Sequence, residues 1–358
     1  MNPRSKYLVT GGAGFIGSHL VDALLADGHE VAALDDLTTG QYENLIQAKA
    51  NPRFRFYHGS VMDVPLVDKL SRECDTIIHL AAAVGVKLII QQPLRSFITN
   101  TKGTEIVLEY AQRYDRRIVI ASTSEIYGKN SSGPLSETSD RILGSPCIAR
   151  WSYSTAKAVD EILANLYHQE RGLRSTVVRF FNTVGPRQSP AYGMVIPGFA
   201  RQAVRGEALT IHGNGLQKRC FLHVADAVAA LLLLLKHPGS VGETFNIGAD
   251  DEISVCELAS RVVKQARSVS PTAYLSYADA YGPGFEDMER RVPDTTKLRT
   301  LTGWRPQRSL ADILTDALAD AHAGWHSREP VHVPSALEQS LPTTGGTLPA
   351  VDADLAGR

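Results

Sequence analysis

Tyr153 and Lys157 stand four residues apart in Arg150-Trp151-Ser152-Tyr153-Ser154-Thr155-Ala156-Lys157. On a helix that spacing puts both side chains on one face, one turn from each other. A Lys ammonium beside a phenol favours the phenolate and draws the Tyr pKa down from about 10 toward neutrality. Thr123 follows a strand predicted over Arg117–Ala121, so its hydroxyl can hydrogen-bond to whatever hydroxyl the phenolate attacks. This is a proton-abstraction site suited to an alcohol. A bare Tyr-x-x-x-Lys pattern is more often an ordinary helix face, and its weight comes from the sequence around it.

That surrounding sequence begins with a buried strand, Lys6-Tyr7-Leu8-Val9-Thr10, then Gly11-Gly12-Ala13-Gly14-Phe15-Ile16-Gly17 and an amphipathic helix from Ser18 to about Asp27. A second strand over Glu30–Leu34 ends in Asp35-Asp36. Strand, glycine turn, helix and a second strand ending in an acid form the dinucleotide fingerprint in its required context. The glycines let the backbone approach a pyrophosphate at a helix N-terminus, where unpaired N–H groups favour anions. Asp35 would accept from a ribose 2′-OH and repel a 2′-phosphate, so NAD is favoured over NADP. Strands over Phe54–His58, Thr76–Leu80 and Ser175–Arg179 alternate with helices over Val64–Arg72, Ser96–Tyr114 and Tyr153–Gly172. Such alternation predicts an α/β fold, a doubly wound parallel Rossmann sheet whose ligands lie beyond the carboxyl ends of its strands. Ala81-Ala82-Ala83, at one such end, suits a ring stacked nearby.

After Pro186 the pattern loosens, which predicts a smaller, mixed α/β substrate-capping domain. The NAD-binding domain is expected over 1–184, with a returning segment at about 221–248, and the capping region over 185–220 and 249–325. The stretch 329–358, rich in Pro, Gly, Thr and Ser, reads as a mobile, non-catalytic tail. A net charge of −1 over 358 residues gives no sign of a nucleic-acid or membrane partner. Leu231–Leu235 is too short to span a bilayer and is expected in the core. The start lacks the apolar region of a signal peptide. Cys74, Cys147, Cys220 and Cys256 are scattered without metal-binding spacing, so buried thiols, no metal and a cytoplasmic location are expected.

From about Lys6 to Leu314 the chain resembles the extended short-chain dehydrogenase/reductases that act on nucleotide sugars. The resemblance rests on Thr10 to Gly17, Tyr153 to Lys157, Arg179-Phe180-Phe181-Asn182 and Gln217-Lys218-Arg219. It implies that NAD stays bound and is reused, and that Tyr153 and Lys157 deprotonate a sugar 4-OH. It further implies that Asn182 and Arg219, with Arg187, hold a UDP diphosphate. The cofactor contacts implied are Gly11, Gly14, Phe15, Ile16, Gly17, Asp35 and Asp36 at the phosphate and ribose end. Toward the ring they are Val61, Leu80, Ala81, Ala82, Asn100, Ser122, Tyr153 and Lys157. Ser60 departs from the family, whose members often carry an adenine-contacting Asp there. A homodimer is also implied, with Ser96–Tyr114 and Tyr153–Gly172 pairing with their mates in a four-helix bundle.

Within that family Thr123-Ser124-Glu125 resembles the UDP-glucuronate decarboxylases, as do Arg150-Trp151 and Gln217-Lys218-Arg219-Cys220-Phe221. Sugar 4,6-dehydratases carry an Asp where this chain has Ser124, and simple 4-epimerases usually lack an acid at Glu125. Decarboxylases complete their site with a late Arg shortly before a Pro, the place of Arg291, although Val292 stands where Lys is usual. The resemblance therefore implies catalytic roles for Thr123, Glu125, Tyr153, Lys157 and Arg291, with Ser124, Glu125 and Arg291 also contacting substrate. Beside a substrate carboxylate, Glu125 would be raised by like-charge repulsion and could sit protonated to help quench C5. The alternatives are a 4-epimerase acting on UDP-glucuronate or UDP-glucose, and a non-catalytic NAD-sensing protein, a class that typically lacks the Tyr/Lys pair.

Overall fold

A computed structural model describes residues 4–85, 92–190, 194–282 and 286–324. Residues 329–358, the expected tail, lie outside them. The chain opens with β1 (Lys6–Thr10), α1 (Phe15–Ala26), β2 (Glu30–Asp35), β3 (Phe54–His58), α2 (Val64–Glu73) and β4 (Thr76–His79). It continues through α3 (Pro93–Arg113), β5 (Arg117–Thr123), α4 (Arg150–Arg171) and β6 (Ser175–Phe180). Then come α5 (Val195–Arg205), α6 (Val224–Lys236), β7 (Thr244–Ile247), α7 (Val255–Ala266) and α8 (Leu310–His322). The seven strands form one parallel sheet in the order β7-β6-β5-β4-β1-β2-β3.

Both faces of that sheet are buried, as a parallel sheet requires. One face packs on α1 and α6, where Leu20, Leu24, Leu231 and Leu234 are sealed from solvent. The other packs on α2, α3 and α4 through Val67, Leu70, Val107 and Ala164. Leu231–Leu235 is thus part of a helix whose inner residues are core, and no helix among the described residues is long and apolar enough to cross a membrane.

A separate core joins α5, α7 and α8 through Phe199, Leu258 and Leu314, with Leu209 and Ile211 from a short parallel pair, Leu209–His212 beside Thr272–Leu275. Lys218–Cys220, Glu252–Ser254 and Arg290–Arg291 make a second small sheet with Lys218–Cys220 in the middle. The strand at Arg290–Arg291 sets Arg291 opposite Arg219 in register. Local chemistry fixes these elements. Asp63 caps α2 by accepting from the Leu66 N–H, and Ser309 with Asp312 forms a capping box on α8. Cys74 and Cys220 are buried, but Cys147 is exposed and Cys256 half-buried, so the expectation of four buried thiols fails in the loop before α4 and on α7.

Candidate active site

A cavity of about 700 Å³ runs along the carboxyl ends of the strands, from Gly11 to Arg291. That volume lies within the range of small-molecule sites. Its floor is bare backbone. Gly11 has φ +70°, and a Cβ there would lie 2.7 Å from the Ala81 nitrogen. A Cβ on Gly17 would lie 2.0 Å from the Gly11 carbonyl oxygen. α1 starts at Gly14 with no side-chain cap, which leaves first-turn N–H groups for an anion.

At the end of β2 the Asp35 carboxylate accepts the Ala13 N–H through Oδ2 and the Leu37 N–H through Oδ1, each at 2.9 Å. Each oxygen keeps a second lone pair, so Asp35 can still accept from a ribose hydroxyl. Burial pushes its pKa up to about 6. Asp36 is exposed and accepts from the Thr38 N–H. Val61, Leu80, Ala81 and Ala82 border the cavity with Phe15 and Ile16. These residues fit a dinucleotide. Asn100 stands a step back, where its amide accepts the Ala83 N–H at 2.7 Å and braces the end of β4. Ser122 borders the cavity, but its hydroxyl is donated to Glu161 on α4. Strand alternation explains this, since Ser122 and Thr123 point to opposite faces of β5.

Thr123, Tyr153 and Lys157 all border the cavity. The expected depression of the Tyr153 pKa is not found. Burial raises it, with the negative charges of Glu125 and Asp160 adding to the effect, while Arg150 and the Thr123 hydroxyl pull it down. Lys157 donates to Asp160 at 3.1 Å, both side chains being sealed from solvent, so its charge is already answered. The resting group is a phenol.

β5 runs into a short 3-10 turn, Ser124–Tyr127, whose Glu125 N–H donates to the Thr123 hydroxyl at 3.2 Å. That turn lifts Glu125 toward α4, where Arg150 forks it, with NH2 donating to Oε1 at 2.9 Å and NH1 to Oε2. Arg291 approaches the same carboxylate at 3.5 Å and donates to the Asn182 amide oxygen at 2.6 Å. Burial alone would raise the Glu125 carboxyl, but Arg150 and then Arg291 overcome it and hold it below the ordinary value. The protonated Glu125 expected beside a substrate carboxylate concerns the loaded site; with the arginines alone around it the carboxyl is held down. Burial and the nearby Arg219 bring Arg291 down to about 10. The Nε atoms of Arg150 and Arg291 are both buried without a hydrogen-bond partner.

The residues implied for the diphosphate divide. Asn182, at φ +28°, is spent on Arg291 and on the Cys220 carbonyl at 2.8 Å. Arg219 borders the cavity and donates to Asp287 at 3.1 Å, which also accepts from the Tyr277 hydroxyl. Arg187 borders it too, but lies toward the glycine turn, paired with Asp22 of α1 at 2.8 Å. Sequence reasoning noted Arg150 only as a point of resemblance, without a role, and passed over Asp160 and Asp287. The first two had a signal, since Arg150 stands three before Tyr153 and Asp160 three after Lys157 on one helix. Asp287 had none.

The chain matches the model of the NAD dependent epimerase/dehydratase family over residues 7–248. It is 36% identical over 316 residues to a UDP-N-acetyl-alpha-D-glucosaminuronate decarboxylase of Bacillus cytotoxicus, covering 88% of this chain and 97% of that one. It is 36% identical to UDP-glucuronic acid decarboxylase 1 of Xenopus tropicalis, covering 88% and 72% of the two chains. The crystal structure of a UDP-glucuronic acid 4-epimerase from Bacillus cereus, in complex with UDP-glucuronic acid and NAD, superposes with a TM-score of 0.79 at 28% identity. That likeness covers 89% of this chain and 99% of the epimerase. By sequence, sheet topology and glycine turn alike, this chain belongs to the NAD dependent epimerase/dehydratase family, the extended short-chain dehydrogenase/reductases.

Proposed function

We propose that this protein is an NAD-dependent decarboxylase of UDP-glucuronate, working through a UDP-4-keto-hexuronate to UDP-xylose or the UDP-4-keto-pentose. The observation that carries this reading is the meeting of Glu125 with two buried guanidiniums, Arg150 and Arg291, in the cavity that Tyr153 also borders. A sugar carboxylate gives such a cluster a charge-assisted bond that a neutral hexose does not. The decarboxylase relatives, at 36% identity over most of the chain, point the same way.

Bound NAD would supply the acceptor for the hydride leaving C4 and a positively charged ring that favours the Tyr153 phenolate. Tyr153 takes the proton of the sugar 4-hydroxyl, and Thr123 holds the same oxygen. With C4 a ketone, the C5 carboxylate is that of a β-keto acid. The electrons of its C–C bond flow to the C4 oxygen as CO2 leaves, and the Tyr153 phenol and Thr123 hydroxyl stabilise the developing charge there. Arg291 holds the carboxylate by a charge-assisted bond. Arg150 and Arg291 hold Glu125 below the ordinary carboxyl value at rest, and a substrate carboxylate that takes up Arg291 and repels Glu125 would raise it, so that it helps deliver a proton to C5 through water. Ser124 is no acid and does not serve a dehydratase. Arg219 takes the UDP diphosphate, while Asn182 keeps Arg291 in place.

A homodimer is part of the proposal. Leu94 and Ile98 on α3 and Ile162 and Leu166 on α4 are exposed apolar residues at helical spacing, which supports a shared helical interface. Sedimentation as a monomer at working concentration would remove it. The central test is to incubate the protein with UDP-glucuronate, with and without added NAD, and follow the sugar by mass and NMR. Loss of CO2 is expected, and the ratio of pentose to keto-pentose reports whether hydride returns to C4. An isomer of unchanged mass would replace this reading with a 4-epimerase, which the likeness to the Bacillus cereus enzyme favours.

A further inference from the structure

Glu125 is shared unequally. Arg150 forks it with two hydrogen bonds, whereas Arg291 meets it only at 3.5 Å and spends its short bond on the neutral Asn182 amide. All three charged side chains are largely sealed from solvent, at 3% exposure for Arg150, 12% for Arg291 and 14% for Glu125. A buried carboxylate follows its best-placed cation. Without Arg150, the nearest cation left to Glu125 is Arg291.

We propose that Arg150 is a positioning residue whose task is to keep the Glu125 carboxylate off Arg291, leaving that guanidinium for the carboxylate of the ligand. The proposal rests on the reading of the ligand as a UDP-hexuronate. It assigns the two arginines different jobs, although both touch the same acid. Arg150 is itself held where α4 begins. The next residue, Trp151, donates its indole N–H to Glu286 at 2.9 Å, and Lys129 pairs with the same carboxylate at 2.9 Å. The charged and titratable groups around Glu125 are Arg150 and Tyr153 from α4 and Arg291 from the small sheet. Beyond them stand Arg219, Asp287 and Tyr281, which act on Arg291 and Arg150. None of these replaces a fork on Glu125.

The test is equilibrium binding of UDP-glucuronate and of UDP-glucose to the NAD-loaded protein, in a Tyr153→Phe background so that nothing turns over. Arg150→Gln should weaken UDP-glucuronate by about tenfold to a hundredfold, because Glu125 now competes for Arg291, and should barely affect UDP-glucose. The loss should shrink as pH falls, since a Glu125 released from Arg150 protonates more readily and then no longer competes. Glu125→Gln added to Arg150→Gln should restore binding, and Arg150→Lys should lie between. Damage to the fold would be neither ligand-selective nor rescued by a second substitution. Unchanged UDP-glucuronate binding in Arg150→Gln, or no rescue in the double variant, overturns the proposal. CO2 release by the otherwise unaltered protein tests the decarboxylase reading separately. A protein that binds UDP-glucuronate through this arrangement but releases no CO2 would keep the role of Arg150 and lose the reaction.

Discussion

Two buried carboxylates in this molecule are each forked by an arginine, and they differ in what the pair has left over. Glu161 takes Nε of Arg179 at 2.9 Å and NH2 at 2.6 Å, and also accepts the Ser122 hydroxyl. The remaining Arg179 nitrogen donates to the Tyr127 hydroxyl and the Glu137 carbonyl, and Tyr127 donates in turn to Asn246 on β7. Every nitrogen of that guanidinium donates. Glu125 instead has two guanidiniums, both with an orphaned Nε, and one of them has its pKa brought down to about 10. The first arrangement ties β5, β6, β7 and α4 together. The second holds more positive charge than its own acid can answer, which is the condition for binding another anion.

Substitution should separate the two most sharply. Glu161→Gln strands the Arg179 charge beneath the sheet and should cost about 3–5 kcal/mol of stability, read from denaturant unfolding. Arg291→Ala leaves Glu125 with its fork on Arg150 and relieves crowding with Arg219 while costing Asn182 one donor, so stability should fall by only about 1–2 kcal/mol. CO2 release from UDP-glucuronate should nevertheless drop by roughly a hundredfold or more. A folded Glu161→Gln protein of ordinary stability, or an Arg291→Ala protein that decarboxylates normally, would erase the distinction.

A smaller effect probes what holds the second arrangement together. A Cβ on Gly144 would lie 2.3 Å from Trp151 Nε1 and 2.4 Å from Glu286 Oε2, so Gly144→Ala must part the contact that anchors the start of α4. Overpacking of this kind should cost about 2–3 kcal/mol. Decarboxylation should fall with it, because Arg150 is the neighbour of Trp151. Glu161 is served from further along α4, and its hydrogen bonds should survive. Unaltered turnover in Gly144→Ala would show that Arg150 does not depend on this anchor.

The same contrast explains what could be read from the sequence. The glycine turn, Asp35 and the Tyr153/Lys157 pair each lie in one short run, where local spacing fixes geometry, and all border the cavity as expected. The mixed α/β region expected after Pro186 is also there, in Val195–Arg205, Leu209–His212 and Val255–Ala266. Glu125, Arg150 and Arg291 come from three distant segments, and which arginine forks the acid is decided by how α4 and the small sheet meet. No spacing encodes that. The polar atoms of Asn100 and Ser122, which the resemblance places on the cofactor, are held in bonds to the Ala83 backbone and to Glu161, pairings that no local spacing encodes. The Tyr153 pKa was misjudged because burial raises it, with Glu125 and Asp160 adding to the effect, and Asp160, three residues after Lys157, answers the lysine that was to depress it.

The smallest effect concerns two acids that burial treats alike and partners treat differently. Glu125 is held below its ordinary value, so its contribution to stability is present above the unfolded pKa and fades as pH falls. Asp35 has only backbone N–H groups and a neighbouring acid, Asp36, and burial pushes it from 3.8 up to about 6. The sign is therefore reversed. Between the two values the folded protein binds the proton more tightly than the unfolded chain, and stability is lost as pH rises through that window. Asp35→Asn should remove this loss, so its stability relative to the natural chain should climb by on the order of 2 kcal/mol from about pH 4 to about pH 6 and then level off. Glu125→Gln should show no such climb. Denaturant unfolding of both variants across that range decides it, and a flat difference for Asp35→Asn would mean that its two backbone hydrogen bonds already offset burial as well as the arginines do for Glu125.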